Sequence, residues 1–324
     1  MRSKALISII VPVYNGERTI EKCLTSILSQ ELEQKNLRCN IEIIVINDGS
    51  TDDTSKLLHD FAIKDNRIIL VEQSNQGVSA ARNKGLTHAK GDYLTFCDSD
   101  DWVEKDWIIS MYQSITEYNA DIVKFSCIIE GHDAANNYNN TIIWNRGEAI
   151  REFLIHKKMN GILWTSIYKK ELFAGLQFNT NICLYEDAEM VWQILHRANR
   201  IVRVNDAKYH YVITGDSLSN GKFTIGKLKS SIIFWDKVYN DVEKYHPEYS
   251  ELALGKRLEV YSNCLIKMII DGVDCKEQEQ KIRQYLMNNI KSLPKHQGSI
   301  AKRAYTYFAI FCPHITRVIG RMKK

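Results

Sequence analysis

The stretch GDYLTFCDSDDW, Gly91 to Trp102, decides how the first half of this chain reads. Tyr93 to Phe96 is a short apolar run of strand length. Directly after it, Asp98, Asp100 and Asp101 fall within four positions. Like charges this close repel, and one carboxyl is driven toward its neutral form unless solvent or a cation intervenes. Two readings follow: a solvated acidic helix start, or a strand end that meets a divalent metal.

The pattern upstream favours a strand end. SIIVPVY (8–14), IEIIVIN (41–47) and RIILVE (67–72) are continuous apolar runs, and DYLTFCD (92–98) is the fourth. Between them lie segments of helical period: Ile20, Leu24, Ile27 and Leu28 share one face, Leu57, Leu58 and Phe61 another, and VSAARNKGLTHA (78–89) forms the third. Ser50 or Thr51 is placed to cap the second helix. Strands without alternation suit a parallel sheet covered on both faces, so the expected class is α/β. Ligands in such sheets bind beyond the carboxyl ends of the strands. Tyr14-Asn15-Gly16, Asn47-Asp48-Gly49-Ser50 and Asp98-Ser99-Asp100 all lie there.

The second half reads differently. DWIISMYQSITEY (106–118) is helical and ADIVKFSCII (120–129) is a strand. GEAIREFLIHK (147–157) is a helix, and LWTSIYKKELF (163–173) carries helix or turn signals. LYEDAEMVWQILHRA (184–198) has helix period, and IVRVNDAKYHYVI (201–213) is one long strand or two short ones. From about residue 222 the text is amphipathic helix.

Several function classes are excluded. The turn PVYNGERT holds a single glycine, so the dinucleotide fingerprint G-x-G-x-x-G fails, and the Walker A pattern is absent. The eight cysteines form no C-x-x-C pair, and reduced thiols are expected. Arg2 and Lys4 precede a short apolar run with no small-residue cleavage site, which reads as a first buried strand rather than a signal peptide. No run approaches the roughly 18 apolar residues of a membrane span.

Charge is unevenly placed. After Glu279 there is no Asp or Glu, while ten Lys and Arg follow, and the remainder of the chain is net acidic. The same tail carries Tyr305, Tyr307, Phe308, Ile310 and Phe311. Basic residues interleaved with aromatics suit an anionic membrane surface; a basic helix packed on an acidic body is the alternative. No nucleic-acid motif is visible and no nucleic-acid partner is expected.

Residue chemistry narrows the ligand. A carboxylate at Asp48 can accept the N3–H of a uracil ring, or merely belong to a turn before a helix. Arg82 and Lys84 can meet a diphosphate, or form a solvated basic face. Asp98 and Asp100, two apart on an extended segment, send their side chains in similar directions. Mg²⁺ and Mn²⁺ prefer such oxygens, and two carboxylates plus a diphosphate complete a site. Glu186-Asp187 opens a helix, where acids also favour the dipole.

The ordered set SIIVPVYNGERTIEKCLTSILSQ, EIIVINDGSTDDT, NQGVSAARNKGLTHAKGDYLTFCDSDDWV and LYEDAEMVW resembles the inverting glycosyltransferases of family 2 over roughly residues 5–215. The resemblance implies a GT-A fold: a Rossmann-like, mostly parallel sheet with helices on both faces, followed here by a C-terminal helical region. It implies a nucleotide-binding half at 1–105, an acceptor and base half at 106–221, and the helical region at 222–324. It implies a UDP-sugar donor and Mn²⁺ or Mg²⁺ at D-x-D. By motif position, Pro12 to Tyr14 and Asp48 hold the base, while Asn75 and Arg82 lie near ribose or phosphates. Asp98 meets the ribose or sugar and shares the metal with Asp100, while Asp101 is a helix cap or supporting group. Asp187 becomes the general base, and Glu186 an acceptor-binding or orienting neighbour. Asn47 stands where the family often has a second acid.

Weaker candidates complete the reading. His210 offers a metal or phosphate contact, Trp102 and Trp164 aromatic platforms, and Ser217 with Ser219 a loop that closes on the diphosphate. The expected enzyme moves a hexose or N-acetylhexosamine to a hydroxyl of a polyprenyl-diphosphate-linked glycan, with a β-linkage formed. O-antigen, capsule or exopolysaccharide assembly at the cytoplasmic face of the plasma (inner) membrane is the setting implied. A nucleotide-sugar-binding partner or sensor without a usable base is the alternative. A nucleotidyltransferase would need a glycine-rich loop after strand one, which is missing.

Overall fold

The computed structural model describes residues 5–34, 37–131, 140–155, 158–213, 222–293 and 300–322. Ser217 and Ser219 lie outside the described residues. The chain divides into two compact units. The first comprises Met1–Ile150, Asn160–Thr180 and Glu186–Gly215; the second comprises Arg151–Met159, Asn181–Tyr185 and Asp216–Lys324.

The first unit is built on a ten-stranded sheet. Its strands are β1 (Ala5–Val13), β2 (Glu33–Gln34), β3 (Leu37–Asp48), β4 (Ile68–Gln73), β5 (Tyr93–Phe96), β6 (Trp102–Val103), β7 (Ile122–Ile129), β8 (Ile142–Asn145), β9 (Ser166–Lys169) and β10 (Arg200–Tyr211). Strands β4, β3, β1 and β5 lie side by side, all parallel. The register pairs Pro12 with Ile46 and Ile10 with Phe96, so the strands end together at one edge. Ile7, Ile9, Ile10, Val11, Ile43, Ile44, Val45 and Ile46 are fully buried. Neither face of β1 from Ile7 on, nor of β3 from Ile41 on, reaches water, which is why those strands read as unbroken apolar runs.

The helices between them are α1 (Ile20–Leu28), α2 (Thr54–Lys64) and α3 (Val78–His88). Ile20, Cys23, Leu24 and Ile27 form the buried face of α1, each fully buried large side chain contributing roughly 1.5–3 kcal/mol. The helix α2 starts at Thr54 and is not capped by Ser50 or Thr51. Those residues are drawn to the loop after β1 instead: Asn15 N–H donates to Ser50 Oγ at 2.9 Å, and Thr51 N–H donates to Asn15 Oδ1 at 2.8 Å. Gly16 N–H donates to Thr54 Oγ1 at 2.8 Å, so the loops after β1 and β3 are joined by side-chain bonds.

The rest of the sheet departs from the parallel scheme. Strand β9 inserts antiparallel between β5 and β7, and β10 runs parallel to β7. The short strand β9, Ser166–Lys169, replaces the helix or turn expected over 163–173: four residues cannot display a period. Strand β10 is one continuous strand whose register against β7 shifts after Arg203 and again after Ala207. Helices α4 (Trp107–Glu117) and α6 (Glu186–Leu195) complete the unit. Met190, Val191, Ile194 and Leu195 of α6 are buried. A further helix, α5, spans Arg146–Ile155.

The second unit is helical, with α7 (Ile225–Tyr245), α8 (Ser250–Asp271), α9 (Lys276–Asn288), α10 (Ile300–Phe311) and α11 (Pro313–Met322). Its core includes Leu228, Phe234, Trp235, Leu258, Leu265, Ile282 and Leu286. Gly272 in the left-handed region (φ 68°) ends α8. No helix among the described residues is long and apolar enough to cross a membrane.

Candidate active site

The carboxyl ends of β3 and β5 and the start of α6 deliver the acidic residues. Asp48, the last residue of β3, is 3 % exposed. Its Oδ1 accepts from Gln73 Nε2 (2.7 Å) and Gln76 N–H (2.9 Å), and its Oδ2 from Gly77 N–H (2.8 Å). The turn that follows is tight: Gly49 has φ 71°, and a Cβ there would stand 2.6 Å from Asn75 N. Only glycine fits. Asn75 itself is exposed, Tyr14 is half exposed and Pro12 is buried within β1.

Arg82 is the centre of the acidic cluster. Although it lies on α3, it is no solvated basic face, being only 4 % exposed. Its Nη2 donates to Asp98 Oδ1 at 3.1 Å. Its Nη1 is 2.7 Å from Asp187 Oδ1 and 3.6 Å from Glu186 Oε1. One guanidinium therefore joins the D-x-D segment to the Glu-Asp pair. Burial works against the charge, but Asp187, Asp98 and Glu186 outweigh it and hold Arg82 ionised. The Asp187 carboxyl is pushed up to about 7 by burial, with Glu186 and Asp98 adding to the rise and Arg82 opposing it.

The D-x-D loop is braced from β10. Tyr209 accepts from Asp98 N–H (3.0 Å) and donates to Asp101 Oδ2 (2.6 Å), while Val212 N–H donates to Asp101 Oδ1 (2.8 Å). Asp101 is thus a buried brace rather than a helix cap; α4 begins at Trp107 after Asp106. Its carboxyl is raised to about 8 by burial and by Asp98. Burial and Asp98 raise the Asp100 carboxyl as well.

Other expected site residues are used differently. His210 Nδ1 lies 2.8 Å from Glu130 Oε1 and its Nε2 lies 2.8 Å from Glu104 Oε1, so both ring nitrogens are committed to carboxylates and not to Asp98 or Asp100. The His210 ring stacks on Trp102 at 3.5 Å, and the Lys22 ammonium lies over the same indole at 4.3 Å. Trp164 stacks on Tyr209 (4.3 Å) and Tyr211 (5.4 Å) and is 7 % exposed. Neither tryptophan presents an open face to a sugar, because side chains of the protein already cover it.

Among the described residues, no group of three or more His, Cys, Asp or Glu is placed to hold a metal by itself. The donor chemistry of Asp98 and Asp100 nonetheless fits a hard divalent cation completed by ligand oxygens: burial, with Asp98 adding to it, raises Asp100, and a cation would oppose that rise. Sequence reasoning missed Tyr209 and Lys124. The latter is signalled by a single charge inside the apolar run IVKFSCII (122–129).

A mixed α/β sheet, parallel from β4 through β3 and β1 to β5 and joined beyond by antiparallel strands, with carboxylates gathered at its strand ends, is the expected α/β GT-A class with a C-terminal helical region. Residues 8–186, more than half of the chain, match the family described as Glycosyl transferase family 2, and the chain belongs to that family. It is similar to glycosyltransferase GlyA of Streptococcus pneumoniae serotype 4, with 36 % identity over 226 residues, 66 % of this chain and 31 % of GlyA. The chain therefore spans about a third of that relative's length. It is also similar to a GalNAc(5)-diNAcBac-PP-undecaprenol beta-1,3-glucosyltransferase of Campylobacter jejuni, 25 % identical over 317 residues, 91 % of this chain and 99 % of the relative. In fold it is similar to S. aureus TarS 1–349 in complex with UDP-GlcNAc (TM-score 0.59, 17 % identity, 98 % of this chain and 89 % of that one). A second such fold is the mannosyltransferase PcManGT of Pyrobaculum calidifontis in complex with GDP-Man and Mn²⁺ (TM-score 0.58, 15 % identity, 99 % and 88 % covered).

Proposed function

We propose that this glycosyltransferase moves a hexose or N-acetylhexosamine from a UDP-sugar to a glycan hydroxyl with inversion, in cell-surface polysaccharide or teichoic-acid-type assembly. The observation that carries the reading is the shared guanidinium of Arg82, which sets Asp98 of the donor-side loop and Asp187 of α6 against one another. In this reading Asp187 takes the proton of the acceptor hydroxyl as its oxygen attacks the anomeric carbon. The bond from that carbon to the diphosphate oxygen breaks, UDP leaves, and the new bond forms on the opposite face. A carboxyl raised to about 7 suits a base at neutral pH, since it is ionised often enough and still basic. Glu186 orients the acceptor. Asp48 takes the base, near Pro12 and Tyr14, while Asn75 lies toward the ribose.

Asp98 and Asp100 would hold Mn²⁺ or Mg²⁺, which when bound supplies positive charge to the leaving diphosphate. The Mn²⁺ bound in PcManGT supports this assignment. His210 is left out, because its nitrogens are engaged elsewhere.

The undecaprenol-linked substrate of the Campylobacter relative supports a lipid-linked acceptor, and UDP-GlcNAc in TarS supports a UDP-sugar. The tail supports a membrane-surface location on the cytoplasmic side: Phe308, Phe311, Ile315 and Val318 of α10 and α11 are exposed, in a region of the chain free of acidic residues. The test is a screen of UDP-sugars with Mn²⁺ for thermal stabilisation and hydrolysis. Stabilisation by one UDP-sugar and hydrolysis lost in Asp187→Asn are expected; stabilisation by none would remove the donor assignment.

A further inference from the structure

Lys124 of β7 is 2 % exposed, and no step described so far uses it. A lysine is almost never this buried unless its nitrogen has partners. Its Nζ donates to the backbone oxygen of Ile162 at 3.1 Å and to Thr165 Oγ1 at 2.7 Å. These two acceptors bracket Leu163, whose backbone N–H opposes the rise of the Asp187 carboxyl. The same loop is held at two more points. Tyr168 Oη donates to the Leu163 oxygen at 3.1 Å, and Gly161 packs so closely on Ala188, the neighbour of Asp187, that a Cβ there would overlap it.

We propose that Lys124 is a positioning residue for proton transfer: by clamping Ile162 and Thr165 it fixes the loop that seats Ala188, and with it Asp187, in the first turn of α6.

The inference rests on the reading of Asp187 as the base. A base seated by a rigid loop keeps its free lone pair in one direction, and loss of that aim is felt in the rate rather than in binding. Thr165, 3 % exposed, is the other half of the clamp. A charge at Nζ is not needed. Burial, with Arg203 beside it on β10, lowers the Lys124 ammonium to about 7, and the neutral amine still has two N–H groups for its two acceptors. A purely structural lysine could be anchored anywhere. This one ties the loop segment that packs against the residue next to the base.

The full chain carrying Lys124→Met, Thr165→Val, Thr165→Ser or Asp187→Asn tests it. The measurement is hydrolysis of whichever of UDP-glucose, UDP-galactose, UDP-GlcNAc and UDP-GalNAc the unmodified protein turns over fastest with Mn²⁺. UDP affinity is read by calorimetry and folding by circular dichroism. Lys124→Met and Thr165→Val are expected to lower kcat about tenfold while donor KM and UDP affinity stay within about twofold, and Thr165→Ser is expected to restore kcat. If Lys124→Met fails to fold, the two Thr165 variants decide alone. A folded Thr165→Val with unchanged kcat, alongside inactive Asp187→Asn, overturns the clamp only; so does an equal loss of kcat and UDP affinity. Full activity in Asp187→Asn, or no turnover of any donor by the unmodified protein, overturns the underlying reading and the clamp with it.

Discussion

Arg82 Nη1 stands 2.7 Å from Asp187 Oδ1, although one comes from α3 and the other from the first turn of α6. The same guanidinium reaches Asp98 at 3.1 Å. A buried cation shared by the D-x-D loop and Asp187 means that neither can change charge without the other feeling it. The Nε of Arg82 has no hydrogen-bond partner among the described residues, so the guanidinium retains donor capacity.

The base assignment leads to the first prediction. Asp187→Asn keeps the shape and removes the proton acceptor, so turnover should fall by about 10²–10⁴, the usual contribution of a positioned general base. UDP affinity should hold. Steady-state rates with calorimetry of UDP binding check both.

Arg82 should not tolerate replacement. Arg82→Met leaves Asp98, Glu186 and Asp187 in mutual repulsion without their common cation, at a cost of about 3 kcal/mol in urea unfolding. Arg82→Lys should rescue little, because a single ammonium cannot reach Asp98 and Asp187 with the fork of a guanidinium.

Rate should depend on pH through Asp187. Its carboxyl is raised to about 7, so below that pH it holds the proton and cannot act as base. Turnover should rise as pH climbs through about 7 and then level off. The same raised value has the opposite sign for stability: the folded form retains a proton that the unfolded chain releases, so this contribution is present at acid pH and lost as pH rises through about 7. A profile of kcat from pH 5 to 9, set beside urea midpoints, would show the two trends crossing. A flat rate profile would remove Asp187 from the rate-controlling step.

Gly49→Ala tests the nucleotide turn. Its φ of 71° and the 2.6 Å approach to Asn75 N leave no room for a Cβ, so a loss of about 1–3 kcal/mol is expected. UDP affinity should weaken with it, since the turn follows Asp48 directly. Thermal melts with and without UDP read the two effects separately.

The exposed apolar residues of the tail make the last prediction. Phe311→Ser with Ile315→Ser and Val318→Ser should reduce co-sedimentation with anionic vesicles while leaving turnover of a soluble donor intact. Binding by the unmodified protein should weaken as salt rises. Equal sedimentation of both proteins would end the membrane proposal.

What the sequence alone determined is local. Unbroken runs such as SIIVPVY and IEIIVIN announced buried parallel strands, and the regular spacing of Ile20, Leu24 and Ile27 announced a helix face, because burial along one element is written in its own period. Positions after strand ends marked Asp48 and Asp98 for the same reason. Only the tertiary structure decided which of these elements meet. It placed β9 antiparallel between β5 and β7, turned Arg82 inward between Asp98 and Asp187, set His210 on Trp102 between two glutamates, and put Lys124 behind the loop at Leu163. Periodicity records how much of a side chain is buried and not what lies against it, and every one of those contacts joins segments far apart in the chain.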